Sequence, residues 1–157
     1  YRKTIRINKG SQDGVYLKQV VLAGNGIYGQ VYSVSPSSAI VLQLTDSRHA
    51  IPVRNNRTGL GAIAVGSGKL NELNLIYVPE TADIVVGDSL VSSGLGGRYP
   101  RGYPVAKVSK VEHSPGKAFA EVTAIPSAQL DRSRHMLLVF NKKASLVPPK
   151  SLWEAEK

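Results

Sequence analysis

The 157-residue chain has no cysteine, one tryptophan, two phenylalanines and one methionine. The missing cysteine excludes a disulfide scaffold and every thiolate metal site. A chain of this length buries roughly 70% of its unfolded surface on folding, so no covalent staple is required. Long apolar runs are also missing. The longest are strand-sized, far short of the ~20 residues of a membrane helix, and no signal sequence opens the chain. The segment reads as soluble, and its strand-like start at Tyr1 leaves room for an anchor in a longer parent chain.

Acidic residues are scarce: 11 Asp plus Glu against 20 Lys plus Arg, a formal charge of +9. Such a balance suits an anionic partner, whether an acidic protein face, lipid headgroups or nucleic acid. The basic residues are scattered singly or in pairs, however, without a run that would track a phosphate backbone.

What the chain does have is short alternating segments separated by turn residues. Lys3 to Ile7, Tyr28 to Val34, Ala39 to Leu44, Ile51 to Arg54, Leu60 to Val65, Leu73 to Val78 and Val105 to Glu112 read as strands. So do Val15 to Leu22, Phe119 to Ala124 and Met136 to Phe140, while Ile84 to Asp88 reads as a strand end and turn. Asp13-Gly14, Asn25-Gly26 and Pro115-Gly116 are turns, and Pro126 to Arg134 has room for one helical turn. The fold class is therefore all-β, mainly antiparallel, with two small barrels or sandwiches and little or no helix. The turn-rich patch Asn55 to Gly59 divides it: residues 1–56 form a first subdomain, 57–141 a second, and 142–157 a flexible tail. Exchange of strands between the two subdomains is compatible with this division. A weak internal repeat supports it, Val15, Val21 and Leu22 with Gly29-Gln30-Val31 matching Ile84, Leu90 and Val91 with Tyr103-Pro104-Val105.

The most informative stretch is Val91 to Val105, VSSGLGGRYPRGYPV, with four glycines, two prolines, two arginines and two tyrosines. Gly94, Gly96, Gly97 and Gly102 open positive φ, while Pro100 and Pro104 fix φ and remove two amide donors, so a shaped loop joins two strands. Arg98, Tyr99, Arg101 and Tyr103 are its candidate contacts, and these residue types dominate binding hot spots. Tyr28 and Tyr32, at i and i+4, are expected on one strand face and join the candidate list.

Catalytic and metal chemistry find little support. His49, His113 and His135, with Asp46, Asp88 and Asp131 and the serines Ser47, Ser92, Ser93 and Ser133, supply the residue types of a triad. No serine lies in G-x-S-x-G, though, and no H-x-x-x-H or carboxylate-rich loop suggests a metal or other cofactor. A phosphate cradle is excluded because the glycines lead to prolines instead of a helix N-terminus. An OB-like nucleic-acid barrel remains as a rival, with the Tyr28 and Tyr32 face as its stacking surface. A trypsin-like barrel hydrolase is the other.

The order of motifs resembles the rod-shape-determining MreC family. The resemblance rests on Asn8-Lys9-Gly10-Ser11-Gln12-Asp13-Gly14-Val15, Gly29-Gln30-Val31, Leu44-Thr45-Asp46 with His49-Ala50-Ile51-Pro52-Val53, and the loop Ser92 to Pro100 with Gly102-Tyr103-Pro104-Val105. It spans Thr4 to Phe140, with Tyr99 where the family usually has phenylalanine, and Lys18 and Val20 where glycine and proline are usual. It implies two trypsin-like β-barrels without a triad, forming the periplasmic part of a protein anchored in the inner membrane by an N-terminal helix. The implied role is a non-catalytic scaffold that maintains rod shape. Its implied partners are the elongation-specific penicillin-binding transpeptidase, MreD and, through the anchor, MreB, with self-association and no cofactor.

Overall fold

The computed structural model describes residues 3–24, 26–128, 130 and 136–139. Eleven strands are present among them: β1 (Thr4–Ile7), β2 (Val20–Ala23), β3 (Gly26–Val34), β4 (Ala39–Gln43), β5 (Ala50–Asn55), β6 (Gly61–Gly66), β7 (Leu73–Ile76), β8 (Ser89–Ser92), β9 (Pro104–Glu112), β10 (Glu121–Pro126) and β11 (Leu137–Val139). The fold is all-β, and its helical content among the described residues is two single 3-10 turns, Ser11–Asp13 and Leu95–Gly97. The expected helical turn between Pro126 and Arg134 and the tail from residue 142 lie outside or largely outside the described residues.

Six strands close a barrel in the order β10-β7-β6-β5-β8-β9, and the other five form a sheet ordered β1-β4-β3-β2-β11. Every pairing is antiparallel. Strand membership departs from a boundary at residue 56. Ala50–Asn55 pairs with β6 and β8 and so belongs to the barrel, while Leu137–Val139 returns to pair with β2 in the first sheet. Local composition marks the turn at Asn55 to Gly59, but partner choice is decided by residues distant in sequence.

One apolar core runs through both sheets. Val21, Ile27, Val31, Val41 and Leu44 fill it from the first sheet, and Ile51, Val53, Leu73, Leu90, Val105 and Val122 from the barrel. Alternation explains the inward faces: Leu73 and Leu75 of β7, and Val122, Ala124 and Pro126 of β10, are buried, with more exposed residues between them. The turn that joins the two sheets packs closely on β6 at Gly66, where a Cβ would lie 2.0 Å from the Asp46 carbonyl oxygen. No side chain fits there.

The internal repeat has a structural counterpart. Hairpins β2–β3 and β8–β9 shift register at the matched pairs Val21/Leu22 and Leu90/Val91. Two expected strands are shorter or absent. Lys18 adopts φ +67°, which breaks the extension expected from Val15 and leaves β2 to begin at Val20. Around Ile84 to Val86 the chain makes no strand, because the Asp88 carboxylate accepts the Val85 N–H at 3.0 Å and closes a turn.

Candidate functional site

The Val91 to Val105 loop links β8 to β9 as the sequence implies, and its shape is fixed by Ser92. That buried side chain donates to the Pro100 carbonyl and accepts the Tyr103 N–H at 2.9 Å. The Ser92 carbonyl accepts from Gly102 N–H at 2.7 Å, and its own N–H donates to the Tyr103 carbonyl at 2.8 Å. Both ends of the loop are thus tied to one strand terminus. Between them Gly94 has φ +76° and packs so closely that an added Cβ would sit 3.1 Å from Cβ of Arg101.

Tyr99 pins the centre. It is 4% exposed, its hydroxyl is hydrogen-bonded to Nε2 of His49, and the rings meet edge to face with centroids 5.8 Å apart. Burial lowers the His49 imidazole to about 4, against a smaller opposing pull from Asp46, so the ring is neutral at physiological pH. Burial also pushes the Tyr99 phenol up. The expectation that Tyr99 is a surface contact is therefore corrected: it is an internal tether. Arg98 and Arg101 are exposed, Tyr103 is half-buried, and Leu95 at the tip is 71% exposed.

The other two candidate tyrosines separate. Tyr28 is 1% exposed, accepting from Gln43 Nε2 at 2.6 Å and donating to the Leu130 carbonyl at 3.1 Å. Tyr32 is 52% exposed beneath the Arg48 guanidinium, which lies 4.7 Å from its ring centre. They do not share a face, because β3 shifts register against β4 between Val31 and Ser33 and Tyr32 is the extra residue. The stacking surface expected of an OB-like barrel is not formed by this pair.

The triad candidates serve structure. Asp46 is fully buried; burial raises its carboxyl, but hydrogen bonds from Arg48 Nε at 3.0 Å and Nη2 at 2.9 Å and from the Arg48 and Lys3 amides outweigh this and hold it at about 2. Asp88 receives Arg57 Nε at 2.8 Å and Asn55 Nδ2 at 2.8 Å, and the Arg57 bonds in particular lower its carboxyl. His113 pairs with Glu80 at the surface. No group of three or more His, Asp or Glu suitable for a metal occurs among the described residues. Asp131, Ser133 and His135 lie outside them.

Beneath the loop lies a cleft of about 620 Å³, bounded on one side by Gly97 to Arg101 and Tyr103, and on the other by Tyr16, Leu17, Lys18, Val20 and Val139. Tyr16 is held by its hydroxyl, which donates to the Val139 carbonyl at 3.3 Å. Sequence reasoning missed this wall, since residues 16–20 are distant in sequence from the loop and are joined by Val139 through the β2–β11 pairing.

The family described as rod shape-determining protein MreC, barrel core, matches residues 1–140. The chain belongs to the MreC family. It is 44% identical over 152 residues to the cell shape-determining protein MreC of Haemophilus influenzae, covering 97% of this chain and 43% of that protein. The chain thus spans less than half the length of this relative. The crystal structure of MreC from Pseudomonas aeruginosa superposes with a TM-score of 0.87 at 55% identity, covering 89% of this chain and 90% of that one. A complex between penicillin-binding protein PBP2 and MreC from Helicobacter pylori has the same fold, with a TM-score of 0.60 at 21% identity over 76% of this chain and 74% of that one. MreC is a cell shape-determining family and not an enzyme family. No helix among the described residues is long and apolar enough to cross a membrane.

Proposed function

We propose that this chain is the periplasmic, non-catalytic docking part of a scaffold that maintains rod shape by organising the cell-wall elongation transpeptidase. The carrying observation is the tethered loop. Ser92 fixes its ends and His49 fixes its centre, so Leu95, Arg98 and Arg101 are presented outward on a backbone that loses little freedom on binding. An exposed apolar residue on the same loop as two exposed arginines suits a protein face with an apolar pocket and acidic rim. The PBP2–MreC complex of H. pylori supports a penicillin-binding protein as that partner. Anchorage in the inner membrane, contact with MreD and MreB, and self-association complete the reading.

The test is binding of the purified chain to the soluble ectodomain of the elongation transpeptidase by interferometry at low and high salt. Saturable binding that weakens with salt supports the reading. Absence of binding at high micromolar concentration would contradict it.

A further inference from the structure

We propose that the cleft beneath the loop binds an acidic saccharide, a sugar ring seated between Tyr16 and Tyr103 with its carboxylate held by Lys18 on one wall or by Arg98 and Arg101 on the other. This rests on the reading above for the surroundings in which such a ligand is met, and gives the inner side of the docking loop a ligand of its own.

Charge is the first observation. Arg48 and Arg57 each hold a buried carboxylate, Asp46 and Asp88. Lys18, Arg98 and Arg101 have no carboxylate partner among the described residues, and no acidic residue lines the cleft they border. Three exposed cations around one concavity, without a counter-charge, concentrate an anion there.

Both walls are held in place before any ligand arrives. Lys18 has φ +67°, and its backbone is fixed from either side: its N–H donates to the Val31 carbonyl at 2.8 Å, and its carbonyl accepts from Gln30 Nε2 at 3.1 Å. Left-handed backbone at a non-glycine residue persists only where its surroundings enforce it, and such positions cluster at ligand sites. The facing wall is the loop that Ser92 and His49 tether, so little freedom is lost on binding.

Shape then selects among anions. About 620 Å³ is the size of a small-ligand site. A compact phosphate is usually cradled by converging backbone N–H groups. Here the N–H groups of Tyr16, Lys18, Gly97 and Tyr103 are already donated, to Gln19 Oε1, the Val31 and Gly94 carbonyls and Ser92 Oγ. The cations stand on opposite walls with half-buried tyrosine rings between them. That spacing fits a ring with apolar faces and a carboxylate at its edge, which a guanidinium accepts in bidentate fashion.

The experiment is an NMR titration of the isotope-labelled chain with four probes. Two are acidic disaccharides with one carboxylate each, N-acetylglucosamine joined to N-acetylmuramic acid and N-acetylglucosamine joined to glucuronic acid. The others are neutral chitobiose and the capped peptide Ala-Glu-Ala, which has one carboxylate and no sugar. The muramic acid disaccharide should shift the Lys18 and Tyr103 amides and bind at least tenfold more tightly than chitobiose or the peptide. Binding of the glucuronic acid disaccharide as well supports a site for acidic sugars in general, and its failure to bind supports one for cell-wall sugars. Lys18→Asn, which keeps a residue tolerant of left-handed backbone, and Arg101→Gln should each lose at least tenfold in affinity with unchanged melting temperature. Equal binding of chitobiose or of the peptide, full affinity in both variants, or no shift with either acidic disaccharide overturns the proposal. Leu95→Ser should leave the saccharide affinity unchanged. A chain that binds the transpeptidase but no saccharide overturns this proposal alone, and one that binds the saccharide but no transpeptidase overturns the docking reading alone.

Discussion

The Tyr99 hydroxyl is hydrogen-bonded to Nε2 of His49, a residue 50 positions earlier in the turn between the two sheets. The loop that carries the candidate docking residues is therefore locked to the junction of the fold. The lock is polar and buried whereas Leu95 at the loop tip is exposed, so the stability of the loop and its recognition chemistry are separable by mutation.

Removing the Tyr99 hydroxyl leaves a buried imidazole nitrogen without its partner. Tyr99→Phe should cost about 1–3 kcal/mol, the desolvation penalty of an unsatisfied buried group. Urea unfolding checks this. An unchanged midpoint would mean that the hydrogen bond adds nothing to packing of the ring.

Stability should fall on mild acidification. His49 titrates at about 4 in the folded protein and near ~6.5 when unfolded. Between these values the unfolded state binds more protons, so stability declines as pH drops through that window, by roughly 3 kcal/mol at most. His49→Gln should remove this slope. Asp46, held at about 2 against an ordinary 3.8, is shifted in the same direction, so its contribution is likewise lost as pH falls, but through the lower range. A pH series of denaturation midpoints for wild type and His49→Gln resolves the two windows.

Gly94→Ala places a Cβ at φ +76° and 3.1 Å from Arg101. Left-handed backbone alone costs an alanine about 1–2 kcal/mol. Gly97, at φ +72° with open space around its Cα, should show the backbone cost alone. Gly94→Ala should therefore be the more damaging of the two by thermal melting, and should also loosen the loop in hydrogen exchange at Tyr103.

Much of the architecture is written in local pattern. Alternation marks β9 and β10, and the glycines and prolines of Val91 to Val105 mark a loop between strands. What local pattern misses depends on distant partners. Tyr99 looks like a surface residue until His49 is beside it, and Asn55, Arg57 and Asp88 form their network only when the barrel closes. Tyr28 and Tyr32 part company because Tyr32 is itself the bulged residue of β3, which defeats a period-two reading without any change in composition. Tyr77 and Phe119 are 42 positions apart and meet only through the β7–β10 pairing.

On the proposed function the exposed tip of the tethered loop is the partner-binding surface. Its most direct test is the affinity of Leu95→Ser/Arg98→Glu for the transpeptidase ectodomain, measured with the melting temperature of the same sample and at concentrations where the chain is monomeric. An unchanged melting temperature and at least a tenfold loss of affinity, about 1.4 kcal/mol, are expected. Wild-type affinity from a fully folded variant would contradict it.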